Sequence, residues 1–308
     1  MKHLIKQSFA CILVVVLLLS ILPLSTIAVD FDGIEITARA GVVMDFDTGI
    51  VLWGHNYEEL LVPASMIKMV AVHVVFDAIR DGKITLDSRV GISQSVSEFS
   101  ENRRYANIPL SMDEQPTVRE LLDFVIIRSA GAATIALGEN IFGSEEEFVR
   151  RMNDKATELG VEASFYDSWG ISSYNKISAK GMAEMTRALI REYPEVLEIT
   201  SKMYVEVDGE QLRNSNLLLG EYEGLDGFKT GFTNAAGRCL IATAYRDGRR
   251  IITVIMGATT PLRYPETREM LDHGFAIADE FIEFFRITLL HNRGTFIRVP
   301  CMRLQLFF

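Results

Sequence analysis

Cysteine and histidine are scarce in this chain, with three Cys and five His among 308 residues. So few cysteines exclude a disulfide-stapled miniprotein. His3, His55, His73, His273 and His291 show no metal-ligand spacing, and each reads as a surface or core residue. No cofactor is expected. Positive charge is also in deficit: 31 Lys plus Arg face 41 Asp plus Glu, a net charge of −10. The basic footprint that nucleic acid requires is missing, so nucleic acid is not an expected partner. There is no internal repeat and no low-complexity linker. Apolar residues are not lacking. At 48% they exclude a disordered chain, and the length allows one large domain or two ordinary ones.

The two ends differ from the rest. Lys2, His3 and Lys6 precede an apolar run from Phe9 to Leu22, Pro23 breaks it, and Thr26-Ile27-Ala28 supplies small residues of the kind a signal peptidase reads. The run is too short for a comfortable membrane span. This order predicts a secretory signal over residues 1–28 and an exported protein, periplasmic or on the extracytoplasmic face of the envelope. Its removal takes Cys11 away and leaves Cys239 and Cys301, of which Cys239 reads as a buried free thiol. Residues 286–308 hold Arg286, Arg293, Arg298 and Arg303, have no acidic residue, and end in Leu304-Gln305-Leu306-Phe307-Phe308. Such a tail, or the signal segment, suits peripheral contact with an anionic membrane surface. The absence of a clean helical stripe favours the plainer reading, the truncated start of a second domain.

Between these ends the pattern predicts an α/β (α+β) fold over residues 29–285, an antiparallel sheet flanked by helices. Ile34 to Asp45 and Ile50 to Trp53 flank an Asp/Gly turn and read as a hairpin. Ser65 to Phe76 is apolar on nearly every side, as a helix buried in the middle of a domain is. Residues 82–116 look polar and irregular. Thr117 and Glu120 stand at capping-box spacing and open a helix. Glu145 to Leu159 and Ser178 to Arg191 read as further helices. Gly227 to Phe232, Arg238 to Tyr245 and Arg249 to Gly257 read as strands, the last two joined at Asp247-Gly248, and Met270 to Phe285 as a closing helix. Strands at both ends of the domain with helices between them suggest one sheet assembled from both ends of the chain.

Two short motifs carry chemistry. In Ser65-Met66-Ile67-Lys68, positions i and i+3 of a helix share a face, so the lysine amine can reach the serine hydroxyl. Serine is a weak nucleophile until a base takes its proton, and burial makes lysine such a base by lowering its pKa. Ser65 at the start of a helix also has free backbone N–H groups beside it to stabilise an oxyanion. In Lys229-Thr230-Gly231 the lysine and threonine can hold a substrate carboxylate at a strand edge, and the glycine lets a substrate backbone approach. Each motif alone is weak. Together, early helix and late strand, they form the pattern of penicillin-recognising serine enzymes.

Over about Ile36 to Phe275 the chain resembles the low-molecular-mass penicillin-binding proteins that act as D-alanyl-D-alanine carboxypeptidases. The resemblance rests on Met44–Gly49, Pro63–Lys68, Met152–Ala156, Asn214–Leu218 and Asp226–Gly231 followed by Ala236-Gly237. It implies the penicillin-recognising, β-lactamase-like fold, a peptidoglycan stem peptide as substrate, and β-lactams as inhibitors. It further implies Ser65 as nucleophile, Lys68 as general base, Ser129 as proton relay to the leaving amine, Lys229 and Thr230 as carboxylate holders, and the backbone N–H groups of Ser65 and Phe232 as the oxyanion hole. The chain departs from the family at two places. The family's Ser-x-Asn is Ser129-Ala130-Gly131 here, without the asparagine that contacts substrate and lysine. Ser215 stands where some relatives place an arginine that helps bind the carboxylate, though Arg213 is close. Both gaps leave a catalytically impaired penicillin-binding pseudoenzyme as an alternative. A serine β-lactamase is another, although no Glu-x-x-x-Asn stretch occurs between Glu145 and Asn175.

Overall fold

A computed structural model describes the backbone of residues 34–291 and the side chains of residues 34–278. The expected signal segment and the tail beyond residue 291 lie outside the described residues.

Strands β1 (Ala40–Asp45) and β2 (Val51–His55) form the expected hairpin. Its turn is fixed by Asp45, whose carboxylate accepts from the Thr48 backbone N–H at 2.8 Å. A 3-10 turn over Ala64–Ile67 then runs into helix α1 (Lys68–Arg80). Helix α2 (Gln94–Ser100) lies inside the stretch that looked irregular, its start capped by the Ser93 side chain. Helix α3 (Val118–Ile127) opens with the capping box expected at Thr117 and Glu120. Helix α4 (Gly131–Phe142) follows at once and had no signal in the sequence reading. Helix α5 (Glu145–Glu158), the small pair β3 (Ala163–Ser164) and β4 (Lys176–Ile177), helices α6 (Ala179–Glu192) and α7 (Val196–Thr200), and the hairpin β5 (Tyr204–Val207) and β6 (Glu210–Arg213) complete the middle of the chain. Strands β7 (Leu225–Thr233), β8 (Gly237–Arg246) and β9 (Arg249–Ala258) then lead to helix α8 (Arg263–His291).

The main sheet is antiparallel in the order β2-β1-β9-β8-β7, so the first and last strands of the chain meet at its centre. Both faces are covered. Val42, Met44, Ile252, Val254 and Met256 point into the larger core, with α1, α3, α4 and α6. Val43, Ile251 and Ile255 point the other way, against Met270 and Leu271 of α8. Burial on both sides explains why the strands read as continuous apolar runs rather than as alternation. Helix α1 runs through the larger core, with Met69 to Phe76 all buried. At about 1.5–3 kcal/mol per large apolar side chain, that burial outweighs the modest helix propensity of its valines. Cys239 is a buried free thiol, as expected, and burial pushes its pKa up to about 11. The arrangement sets the 3-10 turn that precedes α1 against β7, which is an edge strand and can leave one side open to a ligand.

Candidate active site

Ser65 lies in the 3-10 turn and not in the α-helix itself. Tighter 3-10 winding stacks residues i and i+3 almost directly above one another. Lys68 Nζ accordingly lies 3.1 Å from Ser65 Oγ. The turn is strained at its entrance, where Ala64 adopts φ +51°. Left-handed backbone at a non-glycine residue persists only where its surroundings enforce it, and it is common at functional sites. Lys68 is fully buried, and that burial lowers its pKa to about 7, against the opposing pull of Asp167 and Glu145. Besides Ser65, its amine donates to the backbone carbonyl of Trp169, and Ser65 Oγ donates to the same oxygen at 3.3 Å.

Strand β7 passes in front of this pair. A Cβ on Gly231 would lie 2.9 Å from the Pro63 carbonyl and 3.3 Å from the Ser65 nitrogen, so only glycine permits the approach. A cleft of about 560 Å³ opens here, lined by Ser65, Lys68, Ser129, Thr230, Gly231 and Phe232 among others. Six of the seven residues expected from the sequence therefore meet in one place. The seventh, Lys229, sits one layer deeper than the sequence reading supposed. It is completely buried, its Nζ donates to the Thr230 carbonyl at 3.0 Å, and it does not line the cleft. Burial, with Lys68 and Arg263 nearby, holds its pKa well below the usual lysine range. Ser129 terminates the α3–α4 junction with φ +63°, a second strained residue at the cleft. The Phe232 side chain is exposed and has the Arg238 guanidinium 4.8 Å from its ring.

Several site residues escaped the sequence reading. Arg263, from the first turn of α8, also lines the cleft. Its guanidinium donates to the Tyr264 hydroxyl, which donates to the Ser215 carbonyl at 2.9 Å, while Ser215 and Thr230 share a hydroxyl–hydroxyl bond of 2.7 Å. A cation thus reaches the neighbourhood of Ser215 from a distant element, and nothing local in the sequence signals it. Trp169 likewise comes from a loop far from both motifs. Elsewhere, His73, Asp77 and Glu192 converge within 4.8 Å, although no histidine showed ligand spacing. Lys155 already sits 2.8 Å from Asp77, and His73 is 3.1 Å from Glu192. Asp77 is thus already paired with Lys155, and none of the three residues lines the cleft.

A sequence profile of the D-alanyl-D-alanine carboxypeptidase family matches residues 26–260. A D-alanyl-D-alanine carboxypeptidase of Bacillus subtilis, DacF, is 36% identical over 247 residues, covering 78% of this chain and 62% of the relative. DacC of Escherichia coli is 33% identical over 269 residues, covering 85% and 66%. The chain thus spans just under two thirds of the length of these curated relatives. Penicillin-binding protein 5 of Haemophilus influenzae superposes with a TM-score of 0.77 at 32% identity, over 80% of this chain and 73% of that one. Penicillin-binding protein D2 of Listeria monocytogenes, solved with cefotaxime bound, gives 0.73 at 29% identity, over 80% of this chain and all of the other. The chain belongs to the D-alanyl-D-alanine carboxypeptidase family, and its fold is that of the low-molecular-mass penicillin-binding proteins.

Proposed function

We propose that this chain is a serine-type D-alanyl-D-alanine carboxypeptidase that removes the terminal D-alanine from peptidoglycan stem peptides, and that β-lactams acylate it at the same serine. The observation that carries the reading is the 3.1 Å pairing of Ser65 Oγ with an amine whose pKa lies near neutrality. Neutral Lys68 takes the Ser65 proton as Oγ attacks the carbonyl between the two D-alanines. Backbone N–H groups of Ser65 and Phe232 receive the oxyanion, a preorganised arrangement that is typically the largest single catalytic contribution. Ser129 passes the proton to the departing D-alanine nitrogen. Water then attacks the acyl-enzyme ester, and Ser65 regains its proton as the shortened peptide leaves. The terminal carboxylate lies against Thr230, Ser215 and Arg263, the last of which has a buried Nε without a partner among the described residues. Gly231 admits the substrate backbone, and Lys229 acts from beneath by holding the Thr230 carbonyl.

This reading includes export after loss of residues 1–28, a catalytic unit spanning 29–285, and peripheral membrane contact through the signal segment or the tail. Mass spectrometry of the protein treated with penicillin tests its centre. The adduct is expected on the peptide that holds Ser65, and an adduct on any other peptide overturns the assignment. Release of D-alanine from a peptide ending in D-Ala-D-Ala tests turnover. One observation favours a second reading, a penicillin-binding pocket with little turnover: Gly131 has no side chain to offer the substrate. Labelling at Ser65 with no D-alanine released would mark that case, and rapid turnover of a chromogenic cephalosporin would mark a β-lactamase.

A further inference from the structure

Gly131 stands where the family resemblance leads one to expect an asparagine that contacts the lysine. The space above it is filled. A Cβ placed there would lie 3.1 Å from the Trp169 indole and 3.2 Å from the Phe99 ring. The two rings pack with centroids 5.0 Å apart, and Tyr105 closes edge-on against the indole at 5.1 Å. Residue 169 also reaches the reacting pair through its backbone, because its carbonyl accepts from both Lys68 Nζ and Ser65 Oγ. The indole centroid is 5.8 Å from the same amine. Asp167 fixes the loop that presents this carbonyl. Its carboxylate accepts from the backbone N–H groups of Trp169 (2.9 Å), Gly170, Ile171 (3.2 Å) and Ser172 (2.8 Å).

We propose that Trp169 is a positioning residue that replaces, in this chain, the lysine-holding part of the missing asparagine's work. Its indole occupies the space over Gly131, keeps water from the Lys68 amine, and anchors the carbonyl that orients it. Glycine at 131 and tryptophan at 169 are then a matched pair. An asparagine placed at 131 brings in four heavy atoms where the first alone requires the Trp169 and Phe99 rings to give by a few tenths of an ångström, and overpacking of that kind displaces side chains and backbone. Here the displaced group is the one that holds the base. This inference rests on the assignment of Ser65 and Lys68 made above.

The test is the second-order rate constant for acylation by a fluorescent penicillin, measured across pH for the wild type and for Gly131→Asn, Trp169→Ala, Trp169→Phe and Gly131→Asn/Trp169→Ala. Restoring the family's asparagine is expected to slow acylation by roughly tenfold or more, since a misplaced reacting group is costly at this step. The double variant is expected to be faster than Gly131→Asn, a gain that mere unfolding cannot produce. Trp169→Ala is expected to move the inflection of the pH profile to the alkaline side, because water reaching the amine favours its charged form. Trp169→Phe moves it less. The charged groups that act on Lys68, namely Asp167, Glu145 and Lys229, are intact in every variant, so the shift reports the ring. Gly131→Asn as fast as the wild type, a double variant no faster than Gly131→Asn, or an unmoved inflection in Trp169→Ala would each overturn the proposal. If wild type and Gly131→Asn differ as expected but the label maps away from Ser65, the assignment of the nucleophile fails and takes this inference with it.

Discussion

Lys68 is where stability and chemistry oppose each other most directly. Its pKa falls from 10.5 to about 7 because it is taken out of water. Between those two values the unfolded chain binds the proton and the folded protein releases it. Stability therefore rises with pH across that window, and the penalty of burying the ammonium is full below pH about 7. A shift of this size corresponds to about 4–5 kcal/mol. Lys68→Met relieves part of it while losing the bonds to Ser65 and Trp169. The variant is expected to unfold at a higher temperature than the wild type, by several degrees at about 2–4 °C per kcal/mol. The gain should be larger at pH about 6.5 than at about 9.5, and labelling by penicillin should be lost. Thermal denaturation at both pH values, alongside labelling, checks both halves; a variant that is destabilised and still labelled would remove lysine from the role of base. In the wild type, the acylation rate should climb about tenfold per pH unit up to an inflection near the lysine's pKa, since only the neutral amine accepts the serine proton.

Among the elements, those that advertised themselves did so through local chemistry. Thr117 and Glu120 announced the start of α3, and both reciprocal bonds of the capping box are present. Thr117→Ala should lower stability by about 1 kcal/mol, read as a lowered denaturation midpoint with an unchanged acylation rate. Asp247-Gly248 announced the hairpin between β8 and β9. Helix α4 did not, because Gly131 opens it without a side-chain cap and, Ile135 apart, its residues from Gly131 to Gly138 are buried with little amphipathic contrast. The 3-10 winding at Ser65 was equally silent. It arises from docking against β7, a contact between residues far apart in the chain, rather than from the propensities of Ala64 to Ile67. Gly231 makes that docking possible, and Gly231→Ala tests it. The methyl group would push β7 from the turn by a few tenths of an ångström, with expected loss of acylation of roughly a hundredfold, as when one oxyanion donor is removed. A far smaller loss, in a protein that still melts cooperatively, would show that the turn and strand need not touch so closely.

For the whole molecule, the sequence showed that a sheet joins both ends of the chain, but not that the cleft would oppose the net charge of the protein. Arg104, Arg128, Arg238 and Arg263 line it beside Lys68, and among the described residues that line it none is acidic. These arginines come from four separate stretches of sequence, so no basic run betrays them, and the composition as a whole points the other way at −10. A positive cleft in an acidic body focuses the local field and draws anions to it, while the surrounding charge repels the same anions at longer range. Salt distinguishes the two effects. The Debye length falls from about 20 Å to about 4 Å between roughly 0.02 and 0.5 M salt, so the attraction exerted before contact is progressively screened. If the cleft dominates, the second-order acylation rate for an anionic penicillin should fall by roughly three- to tenfold over that range, and that of its neutral methyl ester should hardly change. The first-order step at saturating penicillin should stay constant for both, because salt reaches the buried Lys68 amine beside Ser65 far less than it reaches the rim. An anionic penicillin that reacts faster as salt is added would mean that the acidic surface governs approach, and that the arginines act only once the ligand is seated.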